Sequence, residues 1–302
     1  MRAVQIDGPG PISALVLRNV PDPGPLGPGT VLVSFFASSI NPADVKIRAG
    51  KVVPRVGTYP YVLGYDLVGD IVAVGDGVDG FAEGDRVMAM STVALTGQGT
   101  WADAVALPAT SVARVPPGVD PVAVARLPLA GLTALQAVRR AHVRPGETVL
   151  VAGAAGAVGR YAMALLVHAG MRVHGLVRDA EQGVLLSNDP AVTISTEVVP
   201  DSVDVVVDAA GGNFSAALRD GGRYISVVPD RVPARDDLAV RSIDRAVILT
   251  RESGGDLAEL ASLVEAGVLE LPSPRVFALS QIRTAHEEYE HHGQRDIVLV
   301  RD

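Results

Sequence analysis

The sequence predicts an α/β protein of two parts: a mostly β stretch over residues 1–118, then alternating strands and helices that build a parallel sheet. Three observations carry this. In the first part, short apolar runs such as VLVSFFASSI and LVGDIVAVGDGV are separated by Gly and Pro turns. After Pro145 and Gly146, strand-like runs alternate with runs at helical spacing. The length of 302 residues exceeds the roughly 100 to 200 that one core usually organises, so two domains are expected.

Element by element, PPG at 116–118 and RPGE at 144–147 bracket a helix in which Leu132, Leu135, Gln136 and Arg139 follow a glycine. TVLVA at 148–152 reads as a buried strand, and Val158, Ala162, Leu165, Leu166 and Ala169 recur at helical spacing until Gly170. RVHGLV, VDVVVDAA, RYISVV and AVILT supply further strands, the last either a sheet edge or an interior strand. DLAELASLVEAG is an amphipathic helix ended by Gly267. LPSPRVFAL is extended, SQIRTAHEEYEHH reads as a polar helix opened by Ser280, and DIVLV closes the chain as a strand.

Composition excludes several classes of function. A formal net charge of -8, with no cluster of cations and aromatics, argues against nucleic acid. No apolar run reaches the roughly 18 residues that span a bilayer, and MRAVQIDGPGP lacks a signal-peptide core, so a cytoplasmic protein is expected. The chain has no cysteine, which removes disulfides, thiolate catalysis and every sulfur-ligated zinc site.

The run VLVAGAAGAVGR at 149–160 holds the most specific motif, with Gly153, Gly156 and Gly159 each three apart between a strand and a helix. A tight turn free of Cβ atoms, opening a helix whose amides and dipole meet an anion, suits a dinucleotide pyrophosphate. The main-chain groups of Ala157 and Val158 would share in that binding. A plain strand-to-helix turn explains three glycines as well; the surrounding βαβ series favours the cradle. At the end of the second strand, Val177 stands at the place where an acid would select NADH, and Arg178 follows. That pair favours NADPH, while Asp179, two residues on, supports the opposite register.

Beyond the glycines, INPADVKIRAG (40–50), YVLGYDLVGDIVAVGDGVDGFAEGDRV (61–87), LPLAGLTALQAV (127–138), RPGETVLVAGAAGAVG (144–159) and VDVVVDAAGG (203–212) occur in order. Together they resemble the zinc-free quinone oxidoreductase branch of the medium-chain dehydrogenase/reductases, over nearly the whole chain. The resemblance implies a GroES-like β domain at 1–118 and 272–302 enclosing a Rossmann doubly wound parallel-sheet domain at 119–271, with substrate and nicotinamide meeting between them. It implies a homodimer and NADPH-dependent reduction of a quinone or of the C=C of an α,β-unsaturated carbonyl compound.

Where zinc-using relatives have Gly-His-Glu, this chain has Gly64, Tyr65 and Asp66, so no catalytic zinc is expected. By the same resemblance Asn41 and Asp44 lie on the nicotinamide side, with Lys46 close by, and Thr133 lies near the cofactor. Asn41-Pro42 followed by Asp44 is equally a helix cap. Tyr59 and Tyr65 are the candidate proton donors, each also a candidate packing residue. His286, Glu290, His291 and His292 form the one other metal-like cluster and read as a solvated helix face. Gln182 and Ser195 stand where the family often has a lysine and a tyrosine beside the 2'-phosphate, and Arg295-Asp296 replaces a usual Gly-Lys. These departures keep two other readings open: a cyclase or dehydratase on the same scaffold with a weakened nucleotide site, and a cofactor-binding regulatory subunit.

Overall fold

A computed structural model describes residues 1–183, 186, 189–291 and 295–302. The chain divides into two compact units, Met1–Leu129 with Arg251–Asp302, and Ala130–Thr250.

The first unit is built on β-sheet. Thr30–Ser39 is its central strand, paired along one side with Asp66–Val74 and along the other with two shorter strands, Ala104–Pro108 and Ile297–Val300. Arg86–Met90 and Val112–Arg114 continue the sheet beyond Asp66–Val74, and Arg275–Ala278 lies outside Ile297–Val300. All these pairings are antiparallel except the last. Thr30–Ser39 alternates partly and fully buried residues until Ala37, after which Ser38 and Ser39 are both buried. That switch marks where the strand passes into a polar interior.

The predicted closing strand returns to the first unit, as Ile297–Val300 pairs with Ala37–Ser39. The helix before it departs from expectation in two ways. It runs Ile282–Glu290, preceded by a 3-10 turn Leu279–Gln281, and Ser280 bonds Asp302 rather than opening the helix. It also has a buried face, since Ile282, Ala285, His286 and Tyr289 are all enclosed. Their spacing is that of one helical stripe, in which a histidine takes a core position.

The second unit is a six-stranded parallel sheet in the order Val192–Ser195, Arg172–Leu176, Thr148–Ala152, Val203–Asp208, Leu218–Ser226, Asp244–Val247. Numbered along the chain, that order is 3-2-1-4-5-6, the doubly wound Rossmann arrangement. Thr148–Ala152 is buried at every position, as expected of a central parallel strand covered on both faces. Leu150, Ala152, Leu176, Val206, Leu218, Tyr224 and Leu238 belong to one core cluster on the sheet. The strand in AVILT is Asp244–Val247, so Ile248 to Thr250 lie beyond it, and it ends the sheet as an edge.

The division between units falls after Leu129 and Thr250, where the sequence boundaries stood at 118/119 and 271/272. Packing explains the difference. Helix Pro121–Val124 packs on strands Thr30–Ser39, Asp66–Val74 and Ile297–Val300, and helix Gly254–Glu265 packs on Val112–Arg114. A Cβ at Gly254 would come within 2.4 Å of the Val112 carbonyl oxygen, so that helix lies directly on the first unit's strand. An amphipathic pattern tells that a helix has a buried face, not which sheet receives it.

Helix Ala157–His168 packs on strands Thr148–Ala152 and Arg172–Leu176, and Gly159 sits at the closest approach. A Cβ there would lie 2.2 Å from the Gly153 carbonyl oxygen and 2.8 Å from the Ala154 Cα. Gly159→Ala should therefore push the helix off the sheet at a cost of about 1–3 kcal/mol. A lowered denaturant midpoint for the variant is expected; a midpoint equal to wild type would mean that the turn yields without penalty.

Candidate functional site

In the second unit, the turn after Thr148–Ala152 has three glycines with three different steric reasons. Gly153 adopts φ of 80°, left-handed backbone that favours glycine, and a Cβ on it would meet the Ala209 and Ala210 main chain at 3.1 Å. Gly159 is required by the helix packing just described. Gly156 is exposed, and a Cβ there would touch only the Gly153 carbonyl oxygen at 3.4 Å, so packing inside the protein does not demand glycine. What its missing Cβ leaves open is approach from solvent to the main chain.

The turn is anchored by its amides. Gly153 N–H and Ala154 N–H both donate to the Leu176 carbonyl oxygen at 3.1 Å, and Gly156 N–H donates to Gly153 at 3.0 Å. Helix Ala157–His168 then starts with no side-chain cap and no acid in its first turn. Its opening amides, those of Ala157, Val158 and Gly159, are donors that a helix does not satisfy internally. The turn lies at the C-terminal end of the first strand, beside the end of the fourth, where the order of the sheet reverses. Ligands of such sheets bind at that point. These features fit a dinucleotide's paired phosphates.

Asp208, at the end of Val203–Asp208, holds the other side. Its buried carboxylate accepts from Ala210 N–H at 3.0 Å, Gly211 N–H at 2.8 Å, Tyr224 Oη at 3.1 Å and Ser226 Oγ at 3.2 Å. Burial and the Asp208 charge hold the Tyr224 phenol above its usual range, so it remains a donor. Sequence reading passed over this aspartate, although its place after an unbroken apolar run was the available signal.

Val177 is buried, and Arg178 is the first exposed side chain after the second strand, at 82%. Arg178 Nε pairs with Asp179 at 3.3 Å, while Asp179 also accepts from Gln182 N–H at 3.0 Å. Gln182 in turn accepts from Arg178 N–H at 3.4 Å. Thr133 is buried on helix Pro128–Ala141, with its hydroxyl 2.7 Å from that of Thr250. Ser195 turns its hydroxyl to the Glu197 main chain.

In the first unit, Asn41, Asp44 and Tyr65 come together and Tyr59 stands apart. Asn41 caps helix Pro42–Arg48, where Pro42 occupies the first turn and Asn41 N–H donates to Asp44 Oδ2 at 2.9 Å. The Asn41 carboxamide donates to Asp66 Oδ2 at 2.7 Å and to Ser39 Oγ at 3.1 Å. Ser39 Oγ donates to the same Asp66 oxygen, and Leu129 N–H donates to Asp66 Oδ1 at 2.7 Å. The cap expected of Asn41 is thus combined with a buried polar cluster centred on Asp66. Tyr65 is buried with its Oη accepting from Ala94 N–H at 3.3 Å. Tyr59 packs against the Tyr61 ring at 4.4 Å between centroids.

Both carboxyls are fully enclosed. Burial pushes Asp44 well above the usual carboxylate range and the Asp66 charge adds to it, against hydrogen bonds from Asn41 and Gly64. Burial pushes Asp66 up to about 6, against the donors Ser39, Asn41 and Leu129 and the Arg126 charge. Burial, with the Asp44 charge beside it, holds the Tyr65 phenol above its usual range; burial and Tyr61 raise Tyr59.

This donor set does not fit a catalytic zinc. The chain has no thiolate, the carboxylate oxygens of Asp66 are occupied by protein donors, and among the described residues no group of three His, Cys, Asp or Glu could hold a metal ion.

A further brace reaches the cluster from the C-terminal helix. Trp101 Nε1 donates to Ser38 Oγ at 3.0 Å, and Ser38 Oγ donates to the Asp66 carbonyl at 2.6 Å. The buried His286 ring meets Trp101 edge-on at 5.6 Å, with Nδ1 3.1 Å from Glu290, which forms a two-pronged pair with Arg48 at 2.7 and 3.0 Å. The reading of His286 and Glu290 as a solvated face is corrected on this ground; His292 lies outside the described residues. Arg295 and Asp296 are likewise structural, with the Arg295 guanidinium 4.6 Å from the Tyr289 ring centre and Asp296 paired with Arg126.

A β-rich unit and a Rossmann unit with a glycine turn at its switch point make up the two-part scaffold. Comparison makes the family definite: the alcohol dehydrogenase GroES-like domain matches residues 27–117, and the zinc-binding dehydrogenase family matches residues 180–295. The chain belongs to the medium-chain dehydrogenase/reductase family. It is 32% identical to the pikromycin polyketide synthase component PikAII of Streptomyces venezuelae over 90% of this chain, and spans 8% of that synthase. It is 33% identical to the chloroplastic NADPH-dependent alkenal/one oxidoreductase of Arabidopsis thaliana, covering 65% of this chain and 54% of that one. The quinone oxidoreductase structure from Coxiella burnetii superposes with a TM-score of 0.83 at 27% identity, covering 100% of this chain and 99% of that one. Among the described residues, no helix is long and apolar enough to cross a membrane.

The enclosed Asp66 carries a pH signature. Its pKa is about 6 when folded, above its unfolded value, so its contribution to stability is greatest at low pH and is lost as pH rises through 6. The full difference is on the order of 3 kcal/mol. Burial lowers the His286 pKa, so its contribution has the opposite sign and is lost as pH falls below its ordinary value of about 6.5. The diagnostic is therefore the difference between wild type and Asp66→Asn in melting temperature from about pH 4 to 6.5, the span between its unfolded and folded values. Wild type should lose stability relative to the variant as pH rises; parallel curves would refute a buried, titrating Asp66.

Proposed function

We propose that this protein is a zinc-independent, NADPH-dependent oxidoreductase that reduces a quinone or the C=C bond of an α,β-unsaturated carbonyl compound by hydride transfer. The observation that carries this reading is the glycine turn, whose exposed Gly156 and uncapped helix start lie at the switch point of the Rossmann sheet. Relatives named for alkenal/one and quinone reduction support the reaction class.

When bound, the nicotinamide supplies hydride to the electrophilic carbon. The protein's share is to hold the nucleotide, stabilise the developing enolate and supply a proton. In this reading the amides of Ala157, Val158 and Gly159 hold the paired phosphates, with Gly153 and Gly156 clearing their approach, and Thr133 and Asn41 border the cofactor. Arg178 takes the 2'-phosphate by exchanging its exposed pair with Asp179, a contact that contributes little by itself. Tyr59 and Tyr65 are the proton-donor candidates. Both phenols sit above their usual range and so keep their protons at neutral pH. Asp44, raised by burial, is a second proton store held against the Asn41 amide. The partners are a small-molecule substrate and a second copy of the chain, paired along the edge strand Asp244–Val247.

Fluorescence titration with NADPH and NADH, followed by turnover at 340 nm on quinones and enones, tests the reading. Arg178→Ala should weaken NADPH about tenfold and leave NADH unchanged, the effect of one charge-assisted phosphate contact. Gly156→Ala should melt close to wild type, because its Cβ meets only one atom at ordinary contact distance, yet bind both nucleotides at least tenfold more weakly. Silence of wild type toward both nucleotides, or product of unchanged oxidation state formed without nucleotide, would defeat the reductase reading and favour a cyclase or dehydratase.

A further inference from the structure

Arg160 occupies the fourth position of helix Ala157–His168, directly after Gly159. Helical side chains lean toward the helix N-terminus, so a long residue at this place returns over the first turn. The geometry bears this out: Arg160 Nε donates to the Ala155 carbonyl oxygen at 3.0 Å, placing the guanidinium beside the glycine turn itself. Two features make this placement unusual. The helix dipole is positive at this end and disfavours a cation there. No acid offsets it, since the first turn contains none and Arg160 has no ion-pair partner among the described residues. Arg178, Arg219, Arg223 and Arg241 in the same unit each have a carboxylate partner; Arg172 and Arg245, like Arg160, bond main-chain carbonyl oxygens, and of these three only Arg160 stands in the first turn of a helix.

A cation held against a helix N-terminus without a carboxylate is an arrangement that an anion completes. We propose that Arg160 is a pyrophosphate-binding residue: its Nε stays on Ala155 while its terminal nitrogens, planar and able to bond two oxygens at once, take the diphosphate over the turn. The inference rests on the dinucleotide reading given above. It assigns affinity chiefly to the part that NADPH and NADH share, the role of Arg178 being confined to the 2'-phosphate.

The test uses calorimetric titration of the full chain with ADP, AMP, adenosine, NADPH and NADH. Wild type should bind ADP more tightly than AMP. Arg160→Gln should weaken ADP, NADPH and NADH alike by about tenfold, leave adenosine unchanged, and flatten the salt dependence of ADP binding. Arg160→Met, a good helix former of similar length, should do the same. A variant that binds ADP and both dinucleotides as wild type does would overturn the role of Arg160 while leaving the dinucleotide site intact. Equal losses for adenosine and ADP, or failure of both variants to fold, would make the arginine a brace of the turn and overturn the proposal. Wild type that binds neither ADP nor either dinucleotide would overturn this inference and the cofactor reading together.

Discussion

The contact between Gly159 and the Gly153 carbonyl oxygen is the constraint on which the second unit's site depends. With no Cβ between them, the helix can begin immediately after the strand, and its first amides come to the end of the sheet without an intervening loop. The same contact leaves those amides without side-chain partners, because no cap residue and no acid occupies the first turn. On the neighbouring strand, Asp208 gathers five donors and fixes the loop against which Gly153 packs. A hydrogen-bonded wall on one side and uncapped amides on the other are the arrangement that an anion at a helix start requires.

The first unit solves the opposite problem, that of holding negative charge in its interior. Two carboxyls without partners there would be costly enough to threaten the fold. Asp66 is tolerated because Ser39, Asn41 and Leu129 donate to its oxygens, and Asp44 because it accepts from the Asn41 amide of the helix it caps, burial raising it well above the usual carboxylate range. Asn41 belongs to both arrangements: its main chain serves Asp44 and its carboxamide serves Asp66. The cap expected of INPAD is therefore joined, in one residue, to a second structural task, the bonding of buried Asp66.

What was legible in the sequence follows from range. The glycine turn, its strand and its helix are local, and spacing alone located them. The strand series of the second unit was legible for the same reason, since central parallel strands are continuous apolar runs. Asp66 as an acceptor was not, because its donors Ser39, Asn41 and Leu129 stand 27, 25 and 63 residues away and only the fold unites them. His286 is a middle case. Ile282, Ala285 and Tyr289 outlined a buried stripe that includes it, but polar neighbours on the opposite face dominated the pattern. The division after Thr250 was hidden because helix Gly254–Glu265 shows a buried face without naming the sheet beneath.

Charge distribution links these local features to ligand choice. The chain carries a net charge of -8, which at long range opposes an anionic dinucleotide. Screening in physiological salt confines that opposition to about 8 Å, so the charges nearest the turn decide the outcome. There the helix start contributes positive potential, Arg160 bonds the Ala155 carbonyl oxygen with no carboxylate partner among the described residues, and Arg178 holds Asp179 only through an exposed pair. The buried Asp208 on the adjacent strand has its oxygens turned to its own loop and to Tyr224 and Ser226. The first turn of the helix thus contains no acid beside the glycines that open it, within a protein of net negative charge.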